Sequence, residues 1–450
     1  MSAAQVLIVV TIVLYLAAML LIGFYFSRKG GSGSSDEFYI GGRKLGPLVT
    51  AMSAEASDMS SYLLMGLPGL AYFAGIAEVG WTAIGLAVGT YLNFLFVAKL
   101  LRRYTARLNA ITIPDFFSRR YGDKRHLLSC IAALIIIIFF VPYTASGFKA
   151  VGMDAVIANA KELPGYLSLT QGYNAATGEA GTYGFLSIVS TLAWGLGYFG
   201  MPHILLRFMA IRDEKELATS RRIASVWVVI SMGIAVFIGI IGYSVSKVGA
   251  IPFLTTSSDS ETVIIKMADL MSRNGVLFAI VAGIILAGIL AATMSTADSQ
   301  LLAAASAVSQ DLMQEFFKVK LSRKASMHAA RGTVFGIALI ALILAWNPNS
   351  SVFRVVSFAW AGFGACFGPT VLLALYWKRS NRQGALAGLI VGGVMVFVWK
   401  YLVAPMGGAF AIYELLPAFV LGMIVNIVVS LMTPEPDEGI QLLYDEVHKK

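Results

Sequence analysis

Asp58 sits in an otherwise apolar run. The stretch ASDMSSYLLMGLPG, Ala56 to Gly69, also holds three hydroxyls (Ser57, Ser60, Ser61) and three helix breakers (Gly66, Pro68, Gly69). An acid in such a run is expensive in lipid and usually serves an ion or substrate path. Small residues before Asp58 and the Gly-Pro-Gly pattern after it loosen the helix, and the carbonyls so released need another partner. A hard cation is one such partner, because carbonyls and hydroxyls form a weak, reversible oxygen cage. The competing reading is a polar patch that packs one helix on its neighbours through small residues.

A second stretch, LAGILAATMSTADSQLLAAASA, puts Ala292, Ser295, Thr296 and Ser299 at i, i+3, i+4 and i+7, on one helix face. Two adjacent hydroxyls without bulk suit closing a cation site against another helix, and equally a small-residue packing face. Asp298 lies further along and receives no role. A third stretch, LAWGLGYFGMPHILLRF, carries three glycines and Pro202 with Trp194, Tyr198 and Phe199 around them. It predicts a second broken helix, and two interrupted spans in corresponding halves point to a transporter's central site. A half-helix N-terminus suits a carboxylate, and the aromatics suit a compact apolar body. Interface aromatics with packing glycines are the alternative. His203 reads as structural, Tyr143 in FFVPYTASG is a candidate for the same cavity, and SFAWAGFGACFGP is a hinge or a close-packing face. The sequence has no His/Cys metal cluster, nucleophile triad or phosphate loop, so an enzyme is not expected.

The elements that must position these residues follow from composition. The 450 residues are 58% hydrophobic and 13% charged, with mean hydropathy +0.76; soluble domains average about 25% charged. A polytopic all-α membrane protein is expected, with about eleven spans near 5–26, 48–76, 79–100, 127–150, 184–206, 221–249, 274–306, 327–346, 352–378, 384–404 and 411–432. The run 5–26 reads as a retained helix rather than a signal peptide. Cys130 and Cys366 lie in separate apolar segments and do not fix a redox compartment. The net charge of +9 comes from Lys and Arg between spans, so it reports topology rather than nucleic-acid binding. Odd-numbered connectors are basic, among them Lys99, Arg102, Arg103, Arg107, Arg119 and Arg120 in the third and Arg207, Arg212, Lys215, Arg221 and Arg222 in the fifth. Even-numbered connectors are poor in base or mixed. By the positive-inside rule the N-terminus is outside and the C-terminus inside. The tail PEPDEGIQLLYDEVHKK is polar and expected to be mobile.

SAEASDMSSYLLMGLPG, WGLGYFGMPHILLRF, LAATMSTADSQLL and FAWAGFGACFGP, with FYIGGRKLGP and NRQGALAGLIVG, resemble the sodium:solute symporter family over nearly the whole chain. The resemblance is nearest to its bacterial sodium/proline members. It implies an inverted-repeat core like that of the bacterial leucine transporter, within one transmembrane domain over residues 1–432 and a cytoplasmic tail over 433–450. The first repeat would cover about 48–150 and the second about 184–378, with extra helices at 5–26, 384–404 and 411–432. It implies sodium as the coupling ion, L-proline as substrate, the cell membrane as location and the lipid bilayer as surroundings. Carried over by motif, the carbonyls of Ala56, Met59 and Ala292 and the hydroxyls of Ser295 and Thr296 are the implied sodium ligands, supported by Asp58. Ser60, Gly66, Tyr143, Trp194, Tyr198 and Pro202 match positions linked to proline. Tyr62 stands where many proline carriers have Trp, which bears on selectivity.

The family normally has two further helices between YTASG and WGLGYFG, the fourth and fifth of the core. Here the chain runs directly from one to the other. A missing pair begins and ends outside, so every later orientation is preserved. Three readings follow: a proline symporter, a symporter of another small solute, and a membrane sensor that binds without transporting.

Overall fold

The computed structural model describes residues 3–29, 40–123, 128, 131, 162–175, 177–320, 322–344 and 351–449. Helix α1 (Ala3–Lys29) is followed by α2 (Pro47–Asp58), a π-helical turn at Tyr62–Gly66, and α3 (Leu67–Ala74). Helix α4 (Ile76–Leu92) continues through a π-helical turn into α5 (Ala98–Arg107), and α6 (Ile113–Arg120) follows. The next connector carries an antiparallel hairpin, β1 (Gln171–Asn174) with β2 (Glu179–Thr182). Then come α7 (Phe185–Leu192), tight turns over Trp194–Gly200, α8 (Pro202–Ala210), α9 (Leu217–Lys247), α10 (Val263–Ser272) and α11 (Val276–Ser306). The chain continues with α12 (Arg323–Leu344), α13 (Val352–Tyr376), α14 (Arg382–Val398), α15 (Leu415–Met432) and α16 (Glu438–His448).

Among the described residues, seven helices are long and apolar enough to cross a membrane, or eight if the pair Phe185–Gly200 and Pro202–Ala210, bent by 48°, is one span. The span expected over 127–150 lies outside the described residues save for Leu128 and Ile131. The span expected over 48–76 is divided by its break, and that over 327–346 has a short apolar part, His328–Ala341. Helix α13 is central, with 89% of its most apolar window buried. Helices α14 and α15 pack on each other and on α13, α9 packs on α2, α3 and α4, and α1 lies against α11. Exposed apolar side chains such as Leu14, Leu20, Phe185 and Leu277 give the bundle the surface a bilayer requires.

The core helices meet where side chains are absent. A Cβ on Gly89 would stand 2.5 Å from Cα of Gly195, one on Gly197 would stand 1.9 Å from Trp360 Nε1, and one on Gly364 would stand 2.8 Å from Cα of Gly197. Gly364 of SFAWAGFGACFGP is therefore a packing surface for the broken helix, as small residues at membrane interfaces generally are.

Glu261 caps α13 from outside the helix. Its carboxylate accepts from Ser351 Oγ at 2.6 Å, from the Val352 N–H at 2.8 Å and from the Phe353 N–H at 3.0 Å. A buried carboxylate on a helix N-terminus satisfies orphan donors and the dipole together. Glu261→Ala is expected to destabilise the folded protein by about 2 kcal/mol, read as a lower melting temperature in detergent. Glu261→Gln, which keeps an acceptor, should recover part of that loss.

The tail is a correction. Residues Glu438–His448 form α16, with Val447 fully buried. Lys378 pairs with Asp445 at 2.7 Å, Tyr444 donates to the Tyr376 carbonyl at 2.8 Å, and Arg103 donates to the Val447 carbonyl at 3.3 Å. Beneath it Arg120 is fully buried, held by the Ala374 carbonyl at 2.9 Å and faced by the rings of Tyr104, Tyr121 and Tyr444 at 5.3–5.6 Å.

Candidate functional site

Helix α2 stops where the sequence loses its helical signals. Met59 has φ −81° and ψ 45°, outside the helical region. In a continuous helix the Ser60 N–H would reach the Ala56 carbonyl; here it donates to the Asp58 carbonyl at 2.9 Å. The Ala56 carbonyl is thus turned out of the helix. The Ser295 hydroxyl lies 2.8 Å from it and 3.0 Å from the Ala292 carbonyl. The Thr296 hydroxyl lies 3.0 Å and 3.2 Å from the same two oxygens. Four of the five expected ligand residues therefore converge through oxygen atoms from α2 and α11. Met59, the fifth, lines a cavity of about 340 Å³ together with Ala56, Ala292, Ser295 and Ser231 of α9. An all-oxygen, mainly uncharged donor set fits a monovalent hard cation, and among the described residues no group of three His, Cys, Asp or Glu could hold a metal ion.

Asp58 follows directly at the end of α2. It is buried, and its Oδ2 accepts from the Tyr198 hydroxyl, which ties the end of α2 to the second broken helix. At the preceding residue, Ser57 Oγ lies 2.8 Å from Ser299 Oγ, and Arg207 donates to Ser299 at 2.5 Å and to Ser57 at 3.2 Å. Arg207, counted from the sequence as a connector charge, is turned into the bundle between the two site helices. Asp298 is exposed on α11.

The second break builds an aromatic box. Trp194 stacks on Tyr62 at 5.4 Å and on Tyr413 at 5.2 Å, with Phe353 tilted against it at 5.4 Å. The Trp360 indole donates to the Trp194 carbonyl at 2.8 Å, and the Tyr198 ring meets Trp360 edge-on at 5.1 Å. Gly66 lets this box close, since a Cβ there would sit 3.3 Å from the Tyr62 ring and 3.6 Å from Cα of Phe353. Ser60 Oγ accepts from the Tyr62 N–H at 3.2 Å and so shapes the turn under the box. Pro202 starts α8 after Met201 in an extended conformation, leaving the half-helix N-terminus in the interior. Tyr143 lies outside the described residues. A wider cavity of about 740 Å³, lined by Glu78, Ser351, Phe353, Arg354, Ser357 and Lys400 among others, lies beyond Phe353 on the side of the non-basic connectors.

Phe353, Tyr413 and Trp360 complete the box without being legible as site residues in the sequence. Phe353 begins a helix and Tyr413 ends a connector, so neither has a periodic pattern to mark it. Glu55, buried one turn before Asp58, is the residue whose sequence signal could have marked it, as a second acid in the same apolar run.

Comparison with known proteins agrees with this architecture. The family model described as "Sodium:solute symporter family" matches residues 38–177 and 154–392. The chain is 38% identical to the osmoregulated proline transporter OpuE of Bacillus subtilis, covering 98% of each chain. It is 37% identical to a sodium/proline symporter of Escherichia coli, covering 97% of this chain and 95% of that one. The solved outward-open structure of a Na+-coupled sialic acid symporter superposes with a TM-score of 0.72 at 17% identity, over 96% of this chain and 98% of that one. The 496-position alignment with the Bacillus protein exceeds the chain's 450 residues by 46. The family model also meets the chain in two pieces that share 154–177. The alignment length shows that the relative carries residues this chain lacks, and the family match breaks between its two pieces around 154–177, where the motifs lack a helix pair.

Proposed function

The chain belongs to the sodium:solute symporter family, and from that premise we propose that it couples inward sodium flow to L-proline uptake across the cell membrane by alternating access. One observation carries the reading furthest: the Ala56 carbonyl, released from its helix, is met by the Ser295 and Thr296 hydroxyls. In this reading these oxygens, with the carbonyls of Met59 and Ala292, hold sodium, and Asp58 supplies the nearby negative charge. The proline carboxylate meets the half-helix N-terminus at Pro202, and its ring fills the box of Tyr62, Trp194 and Tyr198 beside Gly66. Tyr143 and Ser60 complete the proposed substrate set. The basic connectors face the cytoplasm, with the N-terminus outside and the C-terminus inside. The repeats run over about 48–150 and 184–378.

Coupling follows from shared backbone. A cation binding Ala56 and α11 orders residues 59–62, and Tyr62 is one wall of the aromatic box. Whatever factor sodium adds to proline affinity, proline must add to sodium affinity. The shortened first repeat favours a second reading, in which sodium and solute bind without a complete transport cycle.

Labelled-proline uptake into proteoliposomes tests both. Sodium-gradient-dependent accumulation above the equilibrium level is expected. Sodium-dependent proline binding without accumulation would replace the symporter with a binding protein, and folded protein with no proline binding would remove proline as the ligand.

A further inference from the structure

At the basic end of the bundle, α5, the turn after α8 and the end of α16 enclose a cleft of about 520 Å³. Five cations line it, Arg102, Arg103, Arg107, Arg212 and Lys449, against two carboxylates, Asp213 and Glu214. Two of the three nearby acids are held in ion pairs, and the third, Asp213, leaves the cleft with a net excess of cations. Glu214 is forked by Arg103 at 2.6 and 2.7 Å. Asp213 accepts from the Lys215 N–H at 2.9 Å, and Glu216, just outside, is forked by Arg212 at 2.6–3.1 Å. Arg107 and Lys449 stand in no ion pair among the described residues, and Arg102 feels Glu214 and Asp213 through space without a close ion pair to either. Arg102, which lines the cleft, is anchored by its Nε donating to the Ile211 carbonyl at 2.7 Å.

We propose that this cleft binds a phosphate-bearing anion, and that the bound anion holds α16 against the bundle. The chemistry is specific in kind: guanidinium forks and an ammonium, arriving from three separate elements, match a tetrahedral oxyanion with several acceptor oxygens. Basic pockets at the cytoplasmic membrane surface attract anionic phospholipid headgroups, and the same donors would accept free phosphate. The tail helix is part of the site, since Arg103 holds the Val447 carbonyl and Lys449 follows directly. An anion bridging Lys449 to Arg102 and Arg107 therefore ties α16 to α5, whose upstream partner α4 packs against the broken helix.

The test uses the full chain in vesicles of phosphatidylcholine alone, with phosphatidylglycerol added, or with millimolar inorganic phosphate, reading backbone amide exchange in Glu438–His448. No transport is needed for the readout, so failure of the symporter reading and failure of this proposal are distinguishable. Exchange in α16 is expected to slow with the anion. Arg107→Gln with Lys449→Gln is expected to weaken the apparent anion affinity roughly 30-fold, the loss of two basic residues at about fivefold each. Arg222→Gln with Lys318→Gln removes the same charge outside the cleft and should leave the slowing intact. Slowing with phosphatidylglycerol only identifies a lipid headgroup; slowing with phosphate in neutral vesicles identifies a soluble anion. No slowing with either, or equal loss in the control variant, overturns the proposal.

Discussion

Asp58→Asn is expected to raise the sodium concentration for half-maximal proline binding by about 100-fold, with the yield of folded protein little changed. The substitution keeps the volume and an acceptor for the Tyr198 hydroxyl, but removes a buried negative charge beside the proposed cation. Breaking a buried charge pair costs about 3 kcal/mol, and each 1.4 kcal/mol is tenfold in affinity. Tyr198→Phe separates the two contributions. It deletes the hydroxyl that holds Asp58 and leaves the charge, so its effect should stay below about tenfold. Sodium titrations of proline binding to purified protein measure both. Equal loss in the two variants, accompanied by lower yield, would make Asp58 a packing residue that joins α2 to the second broken helix.

The other large effect is expected at Trp194. Trp194→Ala removes the ring on which Tyr62, Tyr413 and Phe353 converge. Central aromatic anchors are worth about 2 kcal/mol or more on truncation, so proline affinity should fall roughly 30-fold. Sodium affinity in the absence of proline should move by less than about threefold, because the ring partners of Trp194 include none of the residues of the oxygen cluster. Trp194→Phe keeps a ring in the box and should recover much of the loss. Unchanged proline affinity in Trp194→Ala would take the broken helix out of the substrate site.

The two variants also show how unevenly the site could be read from sequence. Ser295 and Thr296 were legible because a helix period of 3.6 puts Ala292, Ser295, Thr296 and Ser299 on one face whatever surrounds them. The breaks at 59–61 and 198–201 were legible because Gly, Pro and an acid in an apolar run have few other uses in lipid. Phe353, Trp360 and Tyr413 were not, because what makes them walls is which helices meet, and no local pattern encodes that. Arg207 was misread since a cation near a helix end looks like a connector charge until the neighbouring hydroxyls are known. The tail was misread for a different reason. Its polar composition suggested mobility, yet Ile440, Leu443, Tyr444 and Val447 fall at i, i+3, i+4 and i+7, the pattern of a helix with one apolar face. The residue-by-residue signal was present and the average composition hid it.

The glycine seam through Gly89, Gly195, Gly197 and Gly364 has a consequence for how this sequence can drift. At those positions the neighbouring helix occupies the volume where any side chain would begin, so no other amino acid fits without prising the broken helix from its supports. On the outer surface the demand is far looser: Phe185, 82% exposed, and Leu277, 69% exposed, need only be apolar to suit the bilayer. Random point changes therefore meet two regimes within a few ångströms of each other, one that accepts almost any oily residue and one that accepts a single letter. Two lineages of this chain could come to differ over most of their lipid-facing skin while these four hydrogen-sized positions stayed the same.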